Sequence, residues 1–382
     1  MFPTIALGRE LVARGHDVAI ETYTRWQPEI EALGMRFYAA PEFPGDPNTK
    51  EFFIAPFRAA EKATPITVEA IADFGADVVV SDILTIAPAL AGEVSGLPVA
   101  TLIPHMDPRP HYGHPPYSVG ARYPASAVGR AWWGLFHPLV LRGGRLGRDD
   151  LNDTRERVGL HRQPQIHNGI SEQLAIVGSF PQLEYPRETR GPNTHVVGPL
   201  VWEPPTAQIE IPIDERPLVL VAPSTAHDPD GRLISTAARA LRGLPVRLLL
   251  TTNRREPAEP LVVADGVTVV DWLSYDQAMP LADVTICHGG YGTMAKALAY
   301  GSVPVIWPAA GDMGENAARA DWAGAAVRIP RRNLSERTLR LAVIRALSEP
   351  RLRARAREFS SWYTEHDPAG RAATLVQQLA ER

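Results

Sequence analysis

The stretch from Val284 to Pro308, VTICHGGYGTMAKALAYGSVPVIWP, restricts the fold of this chain more than any other. An apolar run ends at Cys287, a glycine cluster follows, then an alanine-rich segment, and VPVIW closes the unit. Two short apolar runs bracketing a glycine turn and a helix form a crossover between parallel strands, and such strands are buried on both faces. The pattern recurs upstream: LVLVA at 218–222, a helix from about Pro229 to Arg242, VRLLLT at 246–251 and VTVVDW at 267–272. The first half carries it too. A helix from Pro3 to Arg14 is closed by Gly15, and DVAIET follows at 17–22; DVVVS at 77–81 leads through LTIAPALAGEV to VATLI at 99–103.

Two doubly wound α/β domains follow from this alternation. Trp202-Glu203-Pro204-Pro205 opens an aperiodic, proline-rich stretch between the two blocks. The expected layout is a first domain over 1–203, a linker over 204–217, a second domain over 218–360 and a helical tail over 361–382. The tail region is charged and breaks near Asp367-Pro368. Pro104 to Leu151 has no clean period and holds seven prolines, four histidines and the pair Trp132-Trp133. It reads as a long, partly helical insertion at the carboxyl ends of the first domain's strands, the edge where open α/β sheets bind ligands.

Composition removes several alternatives. A net charge of −4 gives no reason to expect a nucleic-acid partner. The single cysteine, Cys287, excludes an internal disulfide framework and a cysteine-rich metal cluster. The opening MFPTIALGREL lacks a signal-peptide pattern, and the apolar window 127–141 is too short to span a bilayer. No membrane partner is expected, and the expected location is the cytoplasm.

The glycine cluster is where chemistry is expected. Gly289, Gly290 and Gly292 let the backbone approach a ligand, and the helix that follows aims free N–H groups and its positive end at it. His288 can donate to a phosphate oxygen, and Thr293 can cap the helix while offering a hydroxyl. This suits a diphosphate; the bland reading is a tight turn with no ligand. The next βα loop runs Gly311-Asp312-Met313-Gly314-Glu315-Asn316 and opens on the same edge. Asp312 repels a bare diphosphate but can accept from sugar hydroxyls, or it merely starts a turn. Ser224 and Thr225 follow the second domain's first strand and can face phosphate oxygens. Trp272 offers a flat face to a nucleobase, or fills core.

The pattern resembles the nucleotide-sugar-dependent glycosyltransferases of the GT-B fold, specifically the bacterial family that decorates antibiotics and other natural products. The similar segments are DWL at 271–273, HGGYGT at 288–293, GSVPVIWP at 301–308 and GDMGENA at 311–317, with PTIALGRELVARGHDV at 3–18 and VVVSD at 78–82 in the first half. The resemblance implies two Rossmann-like domains facing across a cleft. It implies His288, the loop amides of Gly289, Gly290 and Gly292, and Thr293 on the diphosphate, helped by Ser224 and Thr225. Trp272 and Leu273 would lie at the base, Asp312, Met313 and Asn316 at the donor sugar. The last helix of such enzymes crosses back to the first domain.

Some positions depart from the family. Met313 stands where a glutamine is frequent, so one sugar-directed hydrogen bond is missing, as a deoxysugar donor allows. Ser274-Tyr275 replaces a frequent Pro-Gln. Lys296 stands where many plant relatives have a ribose-binding glutamate, which favours dTDP over UDP. The family opens with a strand and a glycine-rich loop ending in Gly-His, then two residues and a proline. Pro3 matches that proline, so the histidine, usually the general base, would immediately precede Met1. The expectation is a longer natural protein whose first-domain sheet has its central strand upstream of Met1. Within this chain the candidate bases are Asp82, which ends a strand, and His105. His111 and His114 have poor spacing for a metal.

The implied reaction is an inverting transfer of a sugar from a dTDP- or UDP-sugar to a hydroxyl of a small natural-product aglycone, with no bound cofactor and no required metal. His105, Tyr112, Trp132, Trp133 and Phe136 are the candidate acceptor wall, though such rings also serve as plain core. The alternatives are a nucleotide-sugar epimerase of the same fold and a non-catalytic nucleotide-sugar-binding auxiliary protein. A monomer or a homodimer is compatible with the sequence.

Overall fold

In a computed structural model the described residues are 1–42, 55–164, 169–188, 190–191, 193–211, 214–223, 231–254, 261 and 266–382. Ser224 and Thr225 lie outside them. The first half comprises α1 (Phe2–Ala13), β1 (Ala19–Thr22), α2 (Gln27–Ala32), β2 (Arg36–Ala39), α3 (Ala55–Phe74), β3 (Val79–Asp82), α4 (Ala87–Val94), β4 (Val99–Ile103), α5 (Ala127–Gly134), α6 (His137–Arg157), β5 (Leu174–Val177) and β6 (Thr194–Val196). The second comprises β7 (Leu218–Ala222), α7 (Arg232–Ala240), β8 (Arg247–Thr251), β9 (Val267–Val270), α8 (Tyr275–Ala278), β10 (Val284–Cys287), α9 (Tyr291–Ala299), β11 (Val303–Ile306), α10 (Met313–Trp322), β12 (Val327–Arg328) and α11 (Glu336–Ser348). Two last helices, α12 (Pro350–His366) and α13 (Pro368–Ala380), complete the chain.

The second-half sheet has the order β12-β11-β10-β7-β8-β9, parallel throughout. Sequence order reverses between β7 and β10, so the crevice for a ligand opens beyond their carboxyl ends. Every residue of β7, β10 and β11 is buried, as expected of strands covered by helices on both faces.

The first half is divided. β1 and β2 form a two-stranded parallel sheet, and β3-β4-β5-β6 form a separate parallel sheet. One apolar cluster joins the two through Ile5 and Leu7 of α1, Ile20 of β1, Leu102 of β4, Ile176 of β5 and Val376 of α13. The tail breaks at Asp367, whose φ is +40°, and its carboxylate caps α13 by accepting from the Gly370 N–H. α13 then packs on α1, where Arg14 donates to Gly370 O, Thr374 and Gln377. The insertion that opens between β4 and β5 at Pro104 is more ordered than a loop: 104–126 is without helix, and α5 and α6 occupy most of 127–157.

Candidate functional site

β10 ends at Cys287, which is fully buried, and burial pushes its thiol up to about 12. The chain then turns at Gly289, whose φ is +85°. A Cβ there would lie 2.9 Å from Ile306 Cγ2 and 3.0 Å from the Met313 carbonyl oxygen. At Gly290 a Cβ would lie 2.7 Å from His288 Nε2, so the imidazole sits over this glycine. Gly289 leaves no room for a side chain, and one at Gly290 would displace the imidazole. α9 begins immediately after it with Gly290 as N-cap and no side-chain cap. The expectation that Thr293 caps the helix is therefore incorrect: Thr293 lies in the first helical turn. The amide donors of that turn are left for a ligand.

A cavity of about 520 Å³ lies in front of this helix start. On the second-domain side His288, Gly290, Gly292, Thr293 and Trp272 line it; on the first-domain side Phe2, Pro3, Trp26 and Pro104 do so. It is thus an interdomain cleft of the size small ligands use. Trp272 is half-buried, and the Arg254 guanidinium lies 4.9 Å from its ring centroid. Leu273 also lines the cleft but is 3 % exposed and packs with Ala278 and Met279, so it is a wall and a core residue at once.

Asp312, Met313 and Asn316 do not line that cavity; they adjoin it through the glycine loop. Asn316 Nδ2 donates to Gly289 O at 2.9 Å and to Asp312 Oδ2 at 3.3 Å. Asp312 is the N-cap of α10 but makes no side-chain capping bond, which leaves its carboxylate for other donors. Met313 is buried against Gly289 and supports the loop.

One pairing in this wall was not legible in the sequence. Lys296 of α9 pairs with Glu203 Oε1, and both line the cleft. Glu203 Oε2 accepts from Ser274 Oγ at 3.0 Å and from the Tyr275 N–H at 2.5 Å. The segment just before the proline-rich stretch is thereby fastened to the nucleotide-side wall. A lysine inside the apolar run MAKALAY was the available signal, because a charge on a buried helix face needs a partner.

On the first-domain side Asp82 closes β3, and its Oδ1 accepts from the Leu84 N–H at 2.9 Å. His105 follows β4. Its Nδ1 lies 2.8 Å from Met106 O and 3.2 Å from Tyr117 Oη. A carbonyl oxygen only accepts, so a hydrogen bond to Met106 O takes a proton on Nδ1 and, in the neutral ring, leaves Nε2 as the acceptor. Neither residue lines the 520 Å³ cavity. Nor do the candidate acceptor rings. Trp132 is 58 % and Tyr112 64 % exposed, and Trp132 and Trp133 each contact Phe136 at 5.7 Å. They are not core: Trp132 and Trp133 of α5, Phe136 just before α6 and Tyr112, which packs at Gly134, form an apolar strip.

The two domains are joined by buried charge. Arg319 of α10 donates to Glu315 Oε1 at 2.8 Å and faces Glu184 of the first domain at 3.5 Å. Burial pulls the guanidinium down, but Glu184 and Glu315 outweigh it and hold Arg319 above its ordinary value. Among the described residues no group of three His, Cys, Asp or Glu side chains is placed to hold a metal ion, and no helix is long and apolar enough to cross a membrane.

Comparison with known proteins agrees with this architecture. Residues 242–377 match the family described as Erythromycin biosynthesis protein CIII-like, C-terminal domain. The chain is 30 % identical to 4'-demethylrebeccamycin synthase of Lentzea aerocolonigenes over 99 % of its own length and 96 % of that protein's. It is 28 % identical to O-mycaminosyltylonolide 6-deoxyallosyltransferase of Streptomyces fradiae, over 99 % of this chain and 94 % of the relative. Among solved structures, the glycosyltransferase VinC in complex with dTDP superposes with a TM-score of 0.70 at 19 % identity, covering 100 % of this chain and 96 % of that one. The chain belongs to the bacterial natural-product glycosyltransferases of the GT-B fold, enzymes that move a sugar from a nucleotide donor to a small aglycone.

Proposed function

We propose that the enzyme uses a dTDP-deoxysugar, with the diphosphate at the start of α9 and, among the residues of this chain, His105 as the base toward the acceptor. The observation that carries this reading is the interdomain cleft, where His288 and Thr293 stand opposite Pro3 and Trp26. The amides of the first turn of α9 and the His288 ring receive the diphosphate, and Thr293 adds a hydroxyl. The cleft-facing side of Trp272 takes the base. Asp312, steadied by Asn316, accepts from hydroxyls of the sugar. The dTDP held by VinC and the deoxysugar named for the Streptomyces fradiae relative support this donor class.

In the reaction His105 Nε2 takes the proton of the acceptor hydroxyl as its oxygen attacks the anomeric carbon. A new C–O bond forms on one face while the bond to the diphosphate oxygen breaks on the other, inverting the centre. The charge that grows on the departing diphosphate meets helix-end amides already in place, so no reorganisation is required. Asp82, at the end of the neighbouring strand, is the alternative base. The aglycone is assigned to the strip of Tyr112, Trp132, Trp133 and Phe136, because exposed apolar rings grouped on one insertion mark binding surfaces.

Turnover of dTDP- and UDP-sugars over a panel of phenolic and macrocyclic aglycones, read by mass spectrometry, tests the donor class. Conjugates formed from dTDP-deoxysugars in preference to UDP-sugars are expected; the opposite preference contradicts it. His105→Gln is expected to lower kcat by about 100-fold or more, whereas Asp82→Asn doing so instead would move the base to Asp82.

A further inference from the structure

We infer that the outward face of α6 pairs antiparallel with the same face of a second copy of this chain, about a two-fold axis at Leu146. The pairing is independent of which residues serve donor, base and acceptor.

α6 has two unlike halves. Its buried residues, Leu151, Asn152, Thr154 and Arg155, all lie in the second half, and the helix packs on α3. The first half has no buried residue. Leu139 is 67 % and Leu146 62 % exposed, and Arg142 and Asp150 are exposed as well. At the helical repeat, Leu139, Arg142, Leu146 and Asp150 (i, i+3, i+7 and i+11) fall on one stripe, turned away from the side that carries Leu151 and Arg155. A Cβ on Gly143 or Gly144, between the two leucines, would meet nothing within 4 Å. The stripe is thus an apolar and charged surface on which no described residue packs, and exposed apolar groups gathered on one face mark a contact surface.

The charges on the stripe decide what covers it. Arg142 and Asp150 stand four residues to either side of Leu146. Among the described residues neither side chain takes part in an ion pair. Turning a second α6 end over end about Leu146 sets leucine against leucine and each Arg142 against Asp150 of the other copy. One two-fold axis makes this contact twice, so the stripe is complementary to itself. Gly143, one turn before Leu146, adds no bulk and lets the two helices approach. An anionic lipid surface fits Arg142, Arg145 and Arg148 but not Asp149 and Asp150 beside them. A wholly acidic or wholly basic protein partner likewise satisfies one sign only. A second copy satisfies both and takes Leu139 and Leu146 out of water. Phe136 immediately precedes α6, so the pairing also steadies the end of the proposed acceptor strip.

Sedimentation velocity of the enzyme from about 0.1 to 100 µM tests the pairing, with circular dichroism to verify that each variant folds. The wild-type chain is expected to dimerise within that range. Arg142→Asp and Asp150→Arg each set like charges against one another in both contacts. Each is expected to weaken the dimer by about 10-fold or more. The sharper arm is an equimolar mixture of the two variants. Every contact between unlike chains is then Asp against Arg, so the mixture is expected to form a dimer that neither variant forms alone. A wild-type chain that stays monomeric at every concentration overturns the inference, and so does one that binds phosphatidylglycerol vesicles as a monomer. A dimer that neither variant weakens, or a mixture that fails to re-form it, overturns it too, because another face then holds the copies together.

Discussion

The two regions proposed to hold donor and acceptor are built by different means. On the donor side the geometry lies in the backbone: a six-stranded parallel sheet, a reversal of strand order, and a glycine turn that delivers the start of α9. On the proposed acceptor side it lies in side chains. His105, Tyr117 and the strip around Trp132 stand on a 104–157 excursion between β4 and β5. The backbone device tolerates little change because it depends on close approach, whereas the side-chain surface can be refitted residue by residue. A family that keeps one donor chemistry and changes its acceptors would divide its structure in this way.

The sharpest way to break the contrast is Gly289→Ala. At φ +85°, with Ile306 and the Met313 carbonyl within 3.0 Å of the new methyl, the substitution is expected to cost about 2–4 kcal/mol. A melt showing no loss would mean that the turn is not the rigid element described. A middle-sized effect is expected on the acceptor side with acid. His114 is 8 % exposed, and burial with the nearby charges of His111 and Arg187 lowers its pKa to about 4. Between the ordinary value of 6.5 and about 4 the unfolded chain binds a proton that the folded chain refuses. Stability therefore falls as pH drops through this window, by up to about 1.4 kcal/mol per pH unit. Denaturant titrations at several pH values should show this slope, and His114→Phe should flatten it; an equal slope in the variant would assign the loss to other groups. The smallest effect is expected for Trp132→Ser. At 58 % exposure its stability change should stay within about 0.5 kcal/mol, while the acceptor KM rises. Unchanged KM would remove the strip from the acceptor site.

The same contrast governs what the sequence made legible. The strand–glycine–helix unit around His288 was readable because its chemistry is local: seven consecutive residues carry it. The break at Asp367 and the strands of the second sheet were readable for similar reasons. Thr293 is not the cap because Gly290, one residue after the positive-φ turn, is the N-cap of α9, which puts Thr293 within the helix. Glu203 with Lys296, Glu184 with Arg319, and Tyr117 with His105 were not readable. The first two join residues far apart in sequence, the third spans an aperiodic segment, and no period or spacing encodes which charge or hydroxyl meets which.

The central claim is that the diphosphate sits at the start of α9 beneath His288. Calorimetric titration of dTDP into wild-type enzyme and His288→Ala, with matched melts to verify folding, tests it most directly. A charge-assisted hydrogen bond to phosphate predicts that the variant binds about 10- to 100-fold more weakly. Equal affinity in the two proteins would place the nucleotide elsewhere.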